Sequence, residues 1–301
     1  MKGNSAIKGH IVAFITILIW GVAFISTKTL LTDFKPIEIL FYRFCIGLLA
    51  LLIAYPRRLK GTTKKQELLF AIAGLCGVTL YYLLENIALT YTAASNVGVI
   101  ISIAPFFTAI LAKWLLEGEK PKANFLIGFS FAIVGICLIS FNGSVVLQLN
   151  PVGDILALLA AIVWAVYSIL SKKISQLGYN TIQITRRIFG YGLIFLIPVL
   201  FLSNFEWNIW RFKSVTNTFN ILFLGLCASA LCFVTWNLAV KLLGAVKTSI
   251  YIYLVPVITV VTSVIVLNER VTWMSALGTV LTLAGLFISE KKARNISKGH
   301  I

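Results

Sequence analysis

The stretch GHIVAFITILIWGVAFISTK, residues 9–28, has the length and apolar composition of one membrane crossing. About 20 apolar residues in a helix span the hydrocarbon core of a bilayer. Its pattern returns later in the chain as GDILALLAAIVWAVYSILSK, residues 153–172, with Trp20 aligned to Trp164. The recurrence of this segment indicates a membrane protein whose chain arose by duplication of one unit.

The composition agrees with a membrane-embedded chain. Of the 301 residues, 59% are hydrophobic and 12% are charged, whereas soluble domains carry about 25% charged residues. The apolar runs are continuous rather than alternating, which favours helices over the strands of a membrane barrel. We therefore predict an all-α polytopic membrane protein with ten transmembrane helices. The apolar segments lie roughly at 10–31, 36–55, 67–90, 94–116, 123–141, 152–173, 181–202, 217–240, 246–267 and 272–289.

The net charge of +16 is distributed as in a membrane protein. Lysines and arginines form short clusters between the apolar segments, and no separate basic domain exists to bind nucleic acid. When the N-terminus is placed inside, most of the loop lysines and arginines fall on the inner side. Because cytoplasmic loops are enriched in these residues, we predict a multi-pass protein of the cell membrane with both termini in the cytoplasm.

Motifs for metal binding, ATP hydrolysis and catalysis are absent from the sequence. The five cysteines lie in apolar segments without a CxxC spacing, and the two histidines stand near the chain ends. Neither a disulfide nor a metal site is therefore predicted. There is no Walker A, HExxH or GxSxG motif. We predict a chain without cofactors that neither hydrolyses ATP nor acts as an enzyme.

The two halves of the chain repeat each other beyond the first segment. We predict a first five-helix repeat at 8–141, a second at 152–290, and a basic cytoplasmic tail at 291–301. Because each repeat has an odd number of spans, the second starts from the opposite membrane face. Such inverted repeats are common in secondary transporters, whose substrate site lies near the membrane midplane. Aligned pairs include Arg43 with Arg187, Asn86 with Asn237 and Pro105 with Pro256.

The stretch YYLLENIALTYTAASNVGVIISIAP, residues 81–105, carries a carboxylate inside an apolar segment. An ionisable side chain in a span, here Glu85, costs roughly 3 kcal/mol and is a functional candidate by default. Tyr81 precedes it by one helical turn and lies on the same face. The aligned residue of the second half is Trp236, so the duplicated scaffold does not require a carboxylate at this point.

Several short motifs stand out along the segments. They are Ile19-Trp20-Gly21, ALTYTAASNVGVIISIAPFFTAILA (88–112), Glu117-Gly118-Glu119, Leu254-Val255-Pro256 and Leu267-Asn268-Glu269-Arg270. Together with the duplication, they resemble the drug/metabolite transporter superfamily, specifically its ten-helix EamA type, over about residues 8–290. The resemblance implies a central cavity lined by spans 1–4 and 6–9, with spans 5 and 10 as supports. It also implies a small-molecule substrate, drawn from amino acids, sugars, nucleotide derivatives or toxic organic compounds.

Three charged residues within the spans are the leading site candidates. Glu85 could exchange a proton or pair with a cationic group of a substrate, and the alternative is a salt bridge to a base such as Arg43. We predict proton coupling at Glu85. Arg43 and Arg187 could hold a carboxylate or phosphate in fork geometry, or brace a gate. Snorkelling or pairing at a helix end is the alternative for both arginines.

Aromatic and amide side chains complete the predicted substrate site. Trp20 and Trp164 could wall the cavity or stack on a substrate, with packing between helices as the alternative. Asn86 and Asn237 could contact substrate, or join helices by hydrogen bonds. The remaining predicted substrate contacts are Tyr81, Asn96, Ser102, Tyr167 and Tyr251.

Prolines occupy matching positions in two of the spans. Pro105 and Pro256 each remove a backbone hydrogen bond and kink a helix. Their symmetry suggests hinges that open the two mouths of a cavity. Static kinks that improve packing are the alternative.

These features predict a secondary active transporter that works by alternating access. We expect it to export small polar metabolites, amino acids or related compounds above all, with protons as the coupling ion. One alternative is a multidrug exporter for organic cations. An alternative of another class is a membrane receptor or assembly protein that transports nothing. The sequence leaves open the substrate, the direction of transport, the coupling ion, the oligomeric state and which arginine within the spans faces the cavity.

Overall fold

A computed structural model of the chain describes residues 2–91, 94–117, 123–141, 150–203, 205–267 and 273–290. The described residues form helices joined by short connections, and no strand occurs among them. The prediction of an all-α chain is confirmed. In chain order the helices are α1 Lys2–Leu30, α2 Pro36–Ala54, α3 Lys64–Gly74, α4 Tyr81–Tyr91, α5 Ala94–Ile101, α6 Ala104–Leu115, α7 Ala123–Phe141, α8 Pro151–Ser175, α9 Thr181–Leu202, α10 Val215–Leu222, α11 Cys232–Leu243, α12 Ala245–Ile250, α13 Leu254–Leu267 and α14 Trp273–Glu290.

Seven helical stretches of the described chain are long and apolar enough to cross a membrane. They are Ser5–Leu30, Pro36–Ala54, Lys64–Tyr91, Val97–Leu115, Pro151–Ser175, Thr181–Leu202 and Val215–Leu243. Three shorter apolar helices lie at Ala123–Leu138, Ala245–Ile258 and Ala276–Ser289. Each stretch coincides with one of the apolar segments of the sequence, and the seven longer ones approach or exceed the length that a bilayer crossing requires.

Helix ends follow local sequence signals. At the start of α2, Pro36 stands in the first turn, where its missing N–H is not needed. The Glu38 carboxylate there accepts a hydrogen bond from the backbone N–H of Lys35 at 2.8 Å. At the start of α9, the Asn180 side chain accepts from the backbone N–H of Ile182 at 2.9 Å. These caps satisfy donors that a helix N-terminus leaves free and fix where the two helices begin.

Two stretches within the long helices are π-helical. Leu75–Leu80 lies between α3 and α4, and Phe223–Leu231 lies between α10 and α11. The wider π turn alters the pattern of backbone hydrogen bonds and is frequent at functional sites. Each stretch ends immediately before a helix, α4 or α11, that carries large buried side chains. A run of large buried side chains thus follows directly after each π-helical stretch.

Two further helical stretches are interrupted just before a proline. A turn at 102–103 separates α5 from α6, and Pro105 is the second residue of α6. A 3-10 turn, Tyr251–Tyr253, separates α12 from α13, and Pro256 follows in the first turn of α13. Proline lacks the N–H that would continue the helical ladder, so an interruption on its N-terminal side is expected. Movement at these sites stays a prediction.

Helices α7 and α14 pack closely against each other. A Cβ atom built on Gly135 would lie 2.5 Å from the carbonyl oxygen of Gly278. One built on Gly285 would lie 2.5 Å from the carbonyl oxygen of Gly128. Only glycine tolerates so close an approach of two backbones, and small residues are typical of such contacts between membrane helices. The glycine pairs thus account for the tight packing of these two helices.

The largest helix contacts join the part of the chain before residues 142–149 to the part after them. Helix α7 packs on α14, α1 on α11, and α4 on α8. Most of the buried apolar side chains at these contacts belong to one cluster. The two parts of the chain interdigitate, and the candidate site lies where their helices meet.

Candidate functional site

A cavity lies among α1, α2, α4, α5, α8, α13 and the turn Tyr251–Tyr253. Its volume is about 40 Å³, which accommodates a few water molecules but is too small for an amino acid. Six of the residues predicted from the sequence line this cavity. They are Trp20, Arg43, Tyr81, Glu85, Ser102 and Trp164.

Five of the fourteen residues that line the cavity are aromatic. The rings of Trp20 and Trp164 meet edge to face with centroids 5.2 Å apart, and Tyr81 lies 4.7 Å from Trp164. The Trp20 indole N–H donates to the carbonyl oxygen of Ala228 at 2.9 Å. Ala228 belongs to the π-helical stretch Phe223–Leu231, where the backbone hydrogen-bond pattern differs from that of an α-helix. The aligned tryptophans of the two halves thus meet at the same cavity.

Arg43 is buried although it carries a permanent charge, with 2% of its surface exposed. Its Nε donates to the Ser229 hydroxyl at 2.9 Å. The guanidinium carbon lies 4.3 Å from the centroid of the Tyr82 ring, a favourable cation–π contact. Its Nη2 has no hydrogen-bond partner among the described residues. The guanidinium is therefore held firmly and retains an unused donor.

Glu85 is buried in the same cavity, with 5% of its surface exposed. The Tyr81 hydroxyl and the guanidinium of Arg43 lie near its carboxyl group, and its Oε2 has no hydrogen-bond partner among the described residues. The ion pairs of the described residues do not include one between Glu85 and Arg43. A guanidinium and a carboxyl group thus line one cavity without forming an ion pair in the described part of the chain.

Asn237 lies outside the cavity and joins three helices. Its Oδ1 accepts from the hydroxyls of Tyr167 at 2.8 Å and Ser171 at 2.7 Å. Its Nδ2 donates to the hydroxyl of Thr185 at 3.1 Å. Because all these groups are buried and bonded to one another, Asn237 and Tyr167 act as a polar connection between α8, α9 and α11.

Two other predicted contacts, Asn86 and Tyr251, are not brought to the cavity. The Asn86 amide donates to the carbonyl oxygen of Pro36 at 3.3 Å, which links α4 to the start of α2. The Tyr251 hydroxyl lies 2.6 Å from Nδ1 of His10, near the beginning of α1. Asn96 belongs to α5, but its side chain lies outside the described residues.

The aligned arginines have different surroundings. Arg187 pairs with Glu67 at 2.9 Å, and its side chain is 41% exposed, in contrast to the buried Arg43. The Tyr191 hydroxyl donates to the same carboxylate at 2.6 Å, and the Thr62 hydroxyl does so at 2.6 Å. Arg187 thus ties α9 to α3 away from the cavity, while Arg43 lies within it.

A second network holds the 205–214 loop against the start of α2. Arg211 pairs with Glu38 at 2.6 Å and with Glu206 at 2.7 Å, and Lys35 pairs with Glu206 at 2.7 Å. The hydrogen bond and the charge of Lys35 lower the pKa of the exposed Glu206 carboxyl group, with a smaller contribution from Arg211. Glu206 is therefore ionised at neutral pH, and the bridge persists there.

Several cavity residues were not among those predicted from the sequence. Thr27 and Phe24 line the cavity on the same face of α1 as Trp20, about two turns and one turn away. Helical periodicity from Trp20 could have identified both. Ile252 and Val255 also line it, and no polar signal distinguishes them from other apolar residues of the spans.

Known proteins share both the sequence pattern and the fold. The sequence model of the EamA-like transporter family matches residues 7–141 and again residues 151–290. An "Uncharacterized transporter" of Archaeoglobus fulgidus is 30% identical over 289 residues, 95% of this chain and 98% of its own. A "Probable terminal-alkyne amino-acid exporter" of Streptantibioticus cattleyicolor is 26% identical over 281 residues, 92% of each chain. A crystal structure with 18% identity matches 96% of this chain and 99% of its own with a TM-score of 0.75, which shows a shared fold.

Proposed function

This chain belongs to the EamA-like transporter family, and from that premise we propose that it is a secondary active transporter that exports small polar metabolites. Amino acids or closely related compounds are the preferred class. The observation that carries this proposal is the aromatic cavity with Arg43 and Glu85 in its walls. The name of the Streptantibioticus cattleyicolor relative, an amino-acid exporter, agrees with this class.

The proposed architecture is two inverted five-span repeats, 8–141 and 152–290, in the cell membrane with both termini in the cytoplasm. The family model matches the chain twice, which supports the duplication. Features that recur in both parts support it further. They are the π-helical stretches Leu75–Leu80 and Phe223–Leu231, the interruptions before Pro105 and Pro256, and the reciprocal glycine contacts of α7 and α14.

Alternating access is the proposed mechanism of transport. The cavity of about 40 Å³ is too small for the proposed substrates, so helices at its edge must move to admit one. The interruptions before Pro105 and Pro256 are suitable places for such movement, because each already divides a span into two helices. Opening at one interruption and then at the other would expose the cavity to the two membrane faces in turn.

Proton coupling is proposed to take place at Glu85. The carboxylate is buried, with Tyr81 and the charge of Arg43 nearby, and proton-carrying carboxylates of transporters occupy such positions. The test is uptake into proteoliposomes with and without an imposed pH gradient. We expect the gradient to stimulate wild-type flux and to have no effect on Glu85→Gln. A gradient-dependent flux of Glu85→Gln at the wild-type level would exclude Glu85 as the coupling residue.

An organic-cation exporter is the second candidate. The aromatic walls and the Glu85 carboxylate suit a cation, but Arg43 places a positive charge in the same cavity. Counterflow in proteoliposomes distinguishes the candidates, with each of the proteinogenic L-amino acids and tetraphenylphosphonium as probes and protein-free liposomes as the control. Amino-acid flux supports the proposal, and flux of tetraphenylphosphonium alone supports the second candidate. Absence of flux with every probe would favour a protein that does not transport.

A further inference from the structure

Three cavity residues have a buried polar atom without a hydrogen-bond partner among the described residues. The atoms are Nη2 of Arg43, Oε2 of Glu85 and Nε1 of Trp164. Buried polar groups in proteins are nearly always bonded, so each exception requires an explanation. All three atoms belong to one cavity, which indicates that they share one partner when the cavity opens.

The protein itself keeps the two charges from pairing. Arg43 is held on one side by the Ser229 hydroxyl and the Tyr82 ring. Glu85 lies near Tyr81, one helical turn before it on α4. Each of the two side chains keeps one buried polar atom without a hydrogen-bond partner among the described residues. These atoms are available to a ligand once the cavity opens.

The unused atoms define the chemistry of the ligand. Arg43 and Trp164 offer N–H donors, and a guanidinium is well suited to a carboxylate. The Glu85 carboxylate accepts from a cationic amine, and the rings of Tyr81 and Trp164 add favourable cation–π contacts. A ligand with only a positive charge would be repelled by Arg43, and a ligand with only a negative charge would be repelled by Glu85. A ligand that carries both charges avoids both repulsions.

We propose that the cavity, once opened, binds the zwitterionic head group of an α-amino acid. Arg43 and Trp164 bind its carboxylate, Glu85 binds its ammonium group, and its side chain lies against the apolar residues Ile252 and Val255 that also line the cavity. This assignment rests on the proposed transport function and specifies which part of the substrate is recognised. It makes both charges of the substrate necessary for binding.

The test compares an amino acid with analogues that lack one charge. Counterflow of labelled L-leucine is measured with three competitors: L-leucine, isoamylamine, which lacks the carboxylate, and 4-methylpentanoate, which lacks the amine. The same series is repeated for whichever proteinogenic amino acid gives the largest flux. We expect each analogue to compete at least about tenfold more weakly than the amino acid, because it leaves one buried charge without a partner.

Variants then assign each charge to its residue. In Arg43→Gln, the amine should compete about as well as the amino acid, because the carboxylate no longer contributes. In Glu85→Gln, 4-methylpentanoate should compete about as well as the amino acid, because the ammonium group no longer contributes. Arg43→Lys keeps the charge and should retain part of the preference. Lys213→Gln removes a basic residue from the exposed loop and should leave all the ratios unchanged.

The outcomes separate this inference from the transport function. Amino-acid flux with competition ratios unaffected by both Arg43→Gln and Glu85→Gln would overturn the inference and preserve the function. Equal competition by an analogue and the amino acid on the wild-type protein would also overturn it, and this measurement does not depend on the folding of any variant. Loss of flux for every probe on the wild-type protein would overturn the function itself.

Discussion

Arg43 and Glu85 are two buried charges that belong to different helices and form no ion pair with each other in the described part of the chain. Burying a charge without a full partner costs several kcal/mol, and such a cost persists where function requires it. Glu38 is the opposite case, because its buried carboxylate accepts hydrogen bonds from Arg211 and from two backbone N–H groups. The two glutamates allow the proposed functional role of Glu85 to be compared with the structural role of Glu38.

We predict that Glu85→Gln leaves stability unchanged or raises it, while Glu38→Gln lowers it. An amide at position 85 removes a buried ionisable group, which is costly inside an apolar span. An amide at position 38 weakens the pairing with Arg211 and should cost about 2–3 kcal/mol. Thermal unfolding of both variants in the same detergent measures the difference. An equal loss of stability in the two variants would make Glu85 a structural residue.

The two aligned asparagines should differ in their importance for stability. Asn237→Ala leaves the buried hydroxyls of Tyr167 and Ser171 without their acceptor and should cost about 1–2 kcal/mol. Asn86→Ala removes one longer hydrogen bond, to Pro36, and should cost clearly less. The same thermal unfolding assay measures both. A smaller effect at Asn237 would contradict its assignment as a connection between helices.

The sequence predicted the chemistry of individual residues better than their surroundings. Glu85 was evident because a carboxylate is rare in an apolar span. Trp164 and Tyr167 lie on one face of α8, yet only Trp164 lines the cavity, and Tyr167 bonds to Asn237. When a helix is apolar on all sides, its sequence does not show which face is turned toward which neighbouring helix. The sequence therefore could not distinguish the cavity position of Trp164 from the helix-connecting position of Tyr167.

For secondary-structure elements too, the sequence predicts some features and not others. The interruptions before Pro105 and Pro256 could be predicted, since proline removes a backbone donor. The π-helical stretch Phe223–Leu231 could not, although it provides contacts for both Trp20 and Arg43. Its composition is that of an ordinary apolar helix, and its wider turn depends on the helices packed against it.

Replacing either of the proposed hinge prolines, Pro105 or Pro256, should slow transport more than it weakens binding. Alanine restores an N–H donor, so Pro105→Ala and Pro256→Ala should favour a continuous helix and hinder movement at the interruption. We expect a several-fold lower turnover with a nearly unchanged KM in proteoliposome flux. Pro198→Ala is the control, because this proline lies on an exposed face of α9. Unchanged turnover at both hinge prolines would leave them as static kinks.

The close contact of α7 and α14 should tolerate no added methyl group. Gly135→Ala would bring a Cβ atom against the backbone of Gly278 and should cost about 1–3 kcal/mol. A Cβ atom added to Gly190 in α9 would meet no atom of the described residues within 4 Å. Gly190→Ala should therefore be neutral or stabilise by up to about 1 kcal/mol, since alanine favours a helix. Thermal unfolding compares the two variants, and equal effects would contradict the packing argument.

At the scale of the whole molecule, the distribution of positive charge predicts the orientation in the membrane. With both termini in the cytoplasm, Lys213 lies outside and Lys65 inside, and both are exposed. A membrane-impermeant maleimide should label Lys213→Cys in intact cells and Lys65→Cys only after permeabilisation. The native protein is the background control, as its five cysteines are buried or half-buried. The reverse labelling pattern would invert the proposed orientation.

The interdigitation of the two parts of the chain has a consequence for how the protein is made. Residues of the first part of the chain are synthesised long before their partners in the second part. Arg43 is made before Ser229, to which it bonds, and α7 is made before α14, on which it packs. At usual rates of synthesis this delay is on the order of 10 s. During that interval the guanidinium of Arg43 and the glycine face of α7 are without their partners from the second part of the chain and are exposed to lipid. Nascent chains halted after α7 should therefore be substrates for membrane chaperones and proteases until the second part arrives.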